Sequence, residues 1–300
     1  MFTTDLKCKV KISIIIPTYN RESIISKTLD SIEIQTYQEW ECIVVDDYST
    51  DNTQGIVEGY VEKDSRFKYM LNECKKGAQG ARNTGLYNST SDWVFFFDSD
   101  NQLQPDCLLE LVSGIRGNVD VVQCFSRVIN IEDGEVEKYF SWCNYGNIRD
   151  HLFTGTAYVD FNHSIIRKSK LLEIGGLDEN CPSMQEWDTH MRLSKTATYN
   201  TIEKVLVDYF VGAQDAISTD NKKAVKGRLY NLEKFLPDWQ QHKIGLCRFV
   251  YIYSNLITRM QDKQFIEESL KKLDDLVVYR KLYAFFGFFI NMWFALLKRF

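Results

Sequence analysis

A chain of 300 residues, 44% hydrophobic and 26% charged, has the composition of an ordinary globular protein and is long enough to bury a core of its own. Only 4 Pro and 16 Gly occur, which excludes collagen-like, low-complexity and long-linker architectures. The formal charge of −5 argues against nucleic acid as a partner, because coating a phosphate backbone asks for a basic surface.

The eight cysteines are scattered, with no C-x-x-C pair, and Cys42 and Cys124 sit inside apolar runs, where a reduced thiol behaves as a small hydrophobe. The N-terminal MFTTDLKCKVK has no apolar core of a signal peptide, so the body of the protein is expected in the cytoplasm.

Along the first 125 residues, short apolar runs alternate with amphipathic stretches. Ile12–Ile16 reads as a strand that stops at Pro17, and residues 24–34 read as a helix. Cys42–Val45 is the next strand and ends on Asp46 and Asp47. Helices are expected over 53–63 and 79–88 with a strand over 67–71 between them. Trp93–Phe97 is a strand ending on Asp98; a helix follows Pro105, and a strand covers 119–125. Strands that are apolar throughout and alternate with helices predict a parallel sheet covered on both faces, with ligands gathered at the carboxyl ends of its strands. Three of these runs end on polar groups, at Thr18-Tyr19-Asn20, Asp46-Asp47 and Asp98-Ser99-Asp100.

Between 126 and 210 the pattern is less regular. It holds a turn at Glu132–Gly134, an aromatic segment Tyr139–Tyr145, a strand-like stretch over 157–166, a Gly175-Gly176 turn and a helix over about 186–195. From 222 onward the pattern is mostly helical. The expected organisation is a body over 1–215, with halves over 1–125 and 126–215, followed by a helical region over 216–300.

The polar strand ends carry the chemistry. Asp98 and Asp100, one residue apart at the end of a buried strand, suit a hard divalent cation or a cation and a ribose, because carboxylates there cost stability unless they bind something; a solvated loop is the plainer alternative. Asp46-Asp47 repeats the pattern, Asp47 suiting a base N–H or a ribose hydroxyl, against capping of the helix near 53. Gly77–Gly85 (GAQGARNTG) opens a helix with small residues and Arg82, which suits a phosphate or a structural pairing with one of the aspartates; it is not a G-x-G-x-x-G dinucleotide loop. The four histidines have no metal-ligand spacing. His163 is a candidate substrate contact or a core residue, and Tyr139–Tyr145 an aromatic stacking platform or plain packing.

Ile14–Asn20 (IIIPTYN), Val44–Asp51 (VVDDYSTD), Gly77–Gly85 (GAQGARNTG) and Phe97–Asp100 (FDSD) resemble glycosyltransferase family 2 in order and spacing, strongly over 11–105 and moderately through 210. The resemblance implies the GT-A fold, a Rossmann-like α/β architecture with a mixed, mainly parallel sheet, here carrying a C-terminal helical appendage. It implies an inverting, metal-dependent transfer from a nucleotide-diphosphate sugar, uridine being the likeliest base, to a hydroxyl of a glycan or lipid-linked acceptor in cell-surface polysaccharide synthesis. By the same resemblance Pro17, Thr18, Tyr19, Asn20, Asp46, Asp47, Arg82, Asn83, Asp98 and Ser99 contact the donor, and Asp98 and Asp100 hold Mn²⁺ or Mg²⁺, Asp100 being the direct ligand. Lys75 stands where relatives commonly have Asn. Gly175–Glu179 (GGLDE), Gln185–Asp188 (QEWD) and Arg192 resemble the acceptor segment. Aligned on Arg192, Glu186 takes the place of the catalytic carboxylate, with Asp188 as the alternative base; a helix-dipole interaction is the plain reading of both. A nucleotidyltransferase or a non-catalytic sugar-nucleotide-binding scaffold are the competing functions.

Residues 282–297 carry no charge and are bracketed by Arg280-Lys281 and Lys298-Arg299. As a helix these 16 residues run about 24 Å, short of a hydrocarbon core of about 30 Å. The expectation for 280–300 is a tail lying in the membrane interface at the cytoplasmic face, against a buried helix or a homo-oligomer contact.

Overall fold

The computed structural model describes residues 10–211, 221–278 and 280–297, the last five as backbone alone. The N-terminal segment read for a leader, the domain boundary expected at 215, and the basic pair 298–299 lie outside the described residues. The described chain divides into two compact units, the first over 10–147, 159–179 and 192–211, the second over 148–158, 180–191 and the helices from 221 onward. Two short segments that precede residue 215 thus belong with the C-terminal helices.

The first unit is α/β. Its strands are β1 (Ile12–Thr18), β2 (Trp40–Asp46), β3 (Phe67–Leu71), β4 (Trp93–Phe96), β5 (Gln102–Leu103), β6 (Val121–Asn130), β7 (Val136–Phe140), β8 (Ser164–Arg167) and β9 (Tyr199–Val211). They form one sheet in the order β3-β2-β1-β4-β8-β6-β9-β5, with β7 paired to β6. The first four strands are mutually parallel, as are β6 and β9, while β5, β7 and β8 run antiparallel to their neighbours. Every residue of β1, β2 and β4 is buried, which is why these strands read as unbroken apolar runs.

The helices of this unit are α1 (Ile25–Glu33), α2 (Thr53–Lys63), α3 (Ala78–Asn88) and α4 (Cys107–Ser113); the chain then continues to α5 (Arg149–Thr154) in the second unit and α6 (Lys168–Glu173) in the first. α1 buries Ile25, Leu29 and Ile32, the spacing of one helical face. α3 lies against β1 and β2. A Cβ on Gly85 would come within 2.3 Å of Ile15 Cγ2, so this glycine sets how closely the helix approaches the sheet.

Two readings change. The strand expected over 157–166 is reduced to Ser164–Arg167, because Phe161–His163 form a 3₁₀ turn capped by Asp160, whose carboxylate accepts from the Asn162 N–H. The long β9 (Tyr199–Val211), rich in β-branched and aromatic residues, is not among the expected strands; it pairs with β6 along its length.

The second unit is helical: α5, the start of α7 (Gln185–Leu193), α8 (Asn221–Lys234), α9 (Leu236–Gln241), α10 (Lys243–Thr258), α11 (Lys263–Leu276) and α12 (Arg280–Leu297). α10 touches α5, α8, α9, α11 and α12. An aromatic cluster fills its interior, with Phe153 stacked on His242 at 4.1 Å and set edge-on to Trp239 at 4.8 Å. α12 packs on α10 through Gly287, where a Cβ would meet Cys247 O at 2.1 Å, and through Asn291, which accepts from Arg248 Nε. Leu282, Phe285, Phe286, Phe288, Phe289 and Met292 are each 46–58% exposed, and of these Phe288 also meets Tyr251 of α10 edge-on at 5.8 Å. No helix among the described residues is long and apolar enough to cross a membrane.

One polar group lies inside the sheet. Glu41 on β2 is paired in register with Ser13 and accepts from Ser13 Oγ at 2.6 Å, Lys68 Nζ at 2.7 Å, and the Thr90 N–H and hydroxyl at 2.8 Å each. Burial pushes its carboxyl up, but these donors outweigh burial and bring it down to about 2. A carboxyl held below its unfolded value of about 4.3 stabilises the fold above that value and ceases to do so as the pH falls through the folded one. Glu41→Gln is therefore expected to lower the urea midpoint at pH 7, and the gap from the parent should close between about pH 5 and pH 2; a gap that stays constant with pH would refute the assignment.

Candidate active site

The donor-side residues meet at the carboxyl ends of the parallel strands, as the apolar runs require. β1 ends at Thr18 beside Asp46, and the Asp47 N–H donates to Thr18 O at 2.8 Å. The loops beyond are interlocked. The Asn20 N–H donates to Ser49 Oγ at 2.8 Å, and the Thr50 N–H to Asn20 Oδ1 at 2.8 Å. Asn20 and Tyr48 hold φ of +51° and +67°, left-handed conformations that non-glycine residues adopt when their surroundings enforce them. Tyr19 is 47% exposed, and the Lys76 ammonium lies 5.5 Å from its ring centroid.

Asp46 and Asp47 divide their work. Asp46 accepts from the Ser49 N–H and hydroxyl on one oxygen and from Tyr69 on the other, so its carboxylate is engaged inside the protein. Asp47 accepts from Asn72 Nδ2 at 2.7 Å and from the Gly77 N–H at 2.8 Å, tying the ends of β2 and β3 to the start of α3. The helix at 53 takes its cap from neither, since Asp51 accepts from the Thr53 N–H and hydroxyl. Pro17 and Thr18 are buried at the end of β1, and Thr18 Oγ1 has no hydrogen-bond partner.

Asp98 is held on both sides. Its Oδ1 accepts from Arg82 Nη2 at 2.6 Å, its Oδ2 from Asn162 Nδ2 at 2.8 Å, and its N–H donates to Asn162 Oδ1 at 2.8 Å. Arg82 is buried; it also donates to Gln79, and its Nε has no partner. Asn83 is buried too, its amide bonded to Leu177 and Glu179, so it ties α3 to the Gly176–Glu179 turn. Ser99 is buried within the loop. Burial, and then the Asp98 charge, push the Asp100 carboxyl up to about 6, against the pull of Arg21 and Arg82. Among the described residues no three His, Cys, Asp or Glu side chains converge on one metal position. A cation held by Asp100 would take its remaining ligands from a bound diphosphate, and two neighbouring carboxyls with one pushed toward neutrality are a donor set suited to that charge.

Glu186 and Asp188 lie on α7 in the second unit. Glu186 is half-buried. Asp188 is fully buried and paired with Lys234 Nζ at 2.5 Å. His163 is buried in the first unit, and that burial pushes its imidazole down.

Sequence reasoning missed Asn72, Asn162 and Glu179. Asn72 follows β3 directly, so it is a fourth polar strand end of the kind already seen at Thr18, Asp46 and Asp98. Glu179 accepts from the Lys75 N–H and from Asn83, bracing the loop at the position where relatives commonly carry Asn. Asn162 had only the Asp160-x-Asn162 capping pattern as a signal.

A four-stranded parallel edge with these carboxylates, continued by a mixed sheet, is the GT-A fold of glycosyltransferases. The fold matches S. aureus TarS 1-349 in complex with UDP-GlcNAc with a TM-score of 0.64 at 19% identity, over 90% of each chain. It also matches the mannosyltransferase PcManGT from Pyrobaculum calidifontis in complex with GDP-Man and Mn²⁺, with a TM-score of 0.62 at 16% identity, over 94% of this chain and 85% of that one. Residues 13–175, more than half of the chain, match the family model for glycosyl transferase family 2, and the chain belongs to that family. A curated relative, the UDP-Glc:alpha-D-GlcNAc-diphosphoundecaprenol beta-1,3-glucosyltransferase WfgD of Escherichia coli, is 40% identical over 119 residues, 37% of this chain and 46% of that protein. The chain spans less than half the length of the first curated relatives it matches.

Asn162→Ala removes both the acceptor of the Asp98 N–H and one donor to its carboxylate. It is expected to weaken donor binding roughly tenfold, the scale of losing a partner that orients a ligating group, while Asp98 keeps Arg82. Titration with UDP or GDP by calorimetry checks this; unchanged affinity would show that Asn162 does not orient the site.

Proposed function

We propose that the protein transfers a sugar from a nucleotide-diphosphate sugar, UDP-linked, to a hydroxyl of a glycan or lipid-linked glycan, with inversion, in the synthesis of a cell-surface polysaccharide. The observation that carries this reading is the Asp47, Arg82, Asp98 and Asp100 cluster at the strand ends of a family 2 chain. Asp47, Thr18 and Tyr19 are assigned to base and ribose. Thr18 Oγ1, buried and without a partner, is a donor in want of an acceptor. Asp46, Asn83 and Asn72 hold the shape of the site, because their bonds are spent within the protein, and Arg82 holds Asp98. Asp100, with Asp98 aimed beside it, would hold Mn²⁺ or Mg²⁺; a divalent cation there would offset the charge of the departing diphosphate. The WfgD relative, named for UDP-Glc and a diphosphoundecaprenol acceptor, supports this donor and acceptor, and the PcManGT complex, which holds GDP-Man and Mn²⁺, supports the cation.

Glu186 is the base. Its carboxylate accepts the proton of the acceptor hydroxyl as that oxygen bonds to the anomeric carbon, and the bond from that carbon to the diphosphate breaks in the same displacement. Asp188 is the weaker candidate, since a fully buried carboxylate already bonded to Lys234 is not placed to take a proton from substrate.

The outward apolar face of α12 supports attachment to the cytoplasmic face of a membrane. Residues 276–300 hold four basic residues and no acidic one, which complements anionic lipid and would set like charges against each other in a dimer through the same face.

A panel of UDP- and GDP-sugars with Mn²⁺, followed as nucleoside diphosphate release, tests the reaction. Asp100→Ala, Glu186→Gln and chelation by EDTA should each slow it at least ~100-fold with the fold intact. Substantial turnover by Glu186→Gln would reassign the base. Phe285→Ser with Phe289→Ser should cut co-sedimentation with anionic phospholipid vesicles roughly tenfold or more, as two large apolar side chains leave the interface; undiminished sedimentation would point to another contact, and a concentration-dependent change in mass to a dimer.

A further inference from the structure

Asp188 and Lys234 form an ion pair inside the second unit that the reaction as written does not use. Asp188 is fully buried, and Lys234 Nζ sits 2.5 Å from its Oδ1. Lys234 closes α8, and Phe235, which follows it, stands edge-on to Trp187 with ring centroids 5.7 Å apart. Trp239 of α9 stacks on the same Trp187, also at 5.7 Å and with the rings 13° from parallel. Two successive residues of α7, Trp187 and Asp188, are thus gripped by the corner between α8 and α9, and Glu186 is the residue before them.

The helix start is constrained as well. Met184 has a φ of +59°, and its carbonyl accepts from the Asp188 N–H at 3.0 Å. A methionine keeps a left-handed conformation only where its surroundings over-determine it. A buried carboxylate without a compensating cation is strongly unfavourable, so the place of Asp188 depends on Lys234.

We infer that Lys234 is a positioning residue for the transfer: through Asp188 it fixes the first turn of α7 and with it the carboxylate of Glu186. This rests on Glu186 as the base. It gives the C-terminal helices a second role beside any membrane contact, since α8 and α9 then form part of the machinery that aims the base. It also accounts for two acidic residues in one turn, one to take the proton and one to anchor the helix.

The test uses the full chain with the nucleotide sugar that the parent turns over. Lys234→Met, Lys234→Arg, Asp188→Asn, the double variant Lys234→Met/Asp188→Asn, and Glu186→Gln are compared for UDP or GDP affinity, thermal midpoint and rate of nucleoside diphosphate release. Lys234→Met should keep nucleotide affinity within twofold and lose at least thirtyfold in rate, and Lys234→Arg should restore much of it. The double variant strands no buried charge and so keeps the measurement valid if Lys234→Met fails to fold; it should remain at least tenfold slow with nucleotide affinity unchanged. Parental rates in a folded Lys234→Met or in the double variant, with Glu186→Gln inactive, would overturn the role of Lys234 alone. Parental rates in Glu186→Gln would overturn the assignment of the base.

Discussion

A strand without a polar side chain along its length can offer chemistry only where it ends. β1, β2 and β4 are buried from first residue to last, apart from the enclosed Ser13–Glu41 pair. Their parallel pairing brings their carboxyl ends to one edge, and the polar residues that follow are concentrated there. The donor-side site follows from that constraint: Asp47 joins the ends of β1, β2 and β3 to the start of α3, and Asp98 is fixed between α3 and the 3₁₀ turn before β8.

The two aspartates of each pair are not equivalent, and the difference is one of environment. Asp46 has its oxygens bonded to Ser49 and Tyr69, whereas Asp47 bridges separate elements at the strand edge. Asp98 is neutralised by Arg82, whereas burial and the Asp98 charge leave Asp100 the less satisfied carboxyl. The same separation recurs on α7, where Asp188 is sealed against Lys234 and Glu186 is only half-buried. In each case neighbouring acids meet different surroundings.

The second unit reverses the usual use of an amphipathic helix. α12 turns Gly287 and Asn291 toward α10, with Phe288 against Tyr251, and leaves Phe285, Phe286 and Phe289 about half exposed. Close backbone approach at Gly287 seats α12 on α10 while several of its aromatic side chains stay exposed.

The elements of the first 125 residues were legible because their signals are local: apolar runs of strand length, polar residues at their ends, and a small-residue helix start. The family motifs lie in the same segments for the same reason. What the sequence could not determine were pairings between distant residues. Asn162 meets Asp98 across 64 positions and Lys234 meets Asp188 across 46, and neither spacing has a period to betray it. β9 likewise takes its place in the sheet from pairing with β6, which is distant in sequence. By itself the sequence determined the α/β body, the edge at which its carboxylates gather and the apolar tail. Only the tertiary structure decided which carboxylate of each pair is spent on the fold, because burial and long-range hydrogen bonds set that, and neither is written in neighbouring residues.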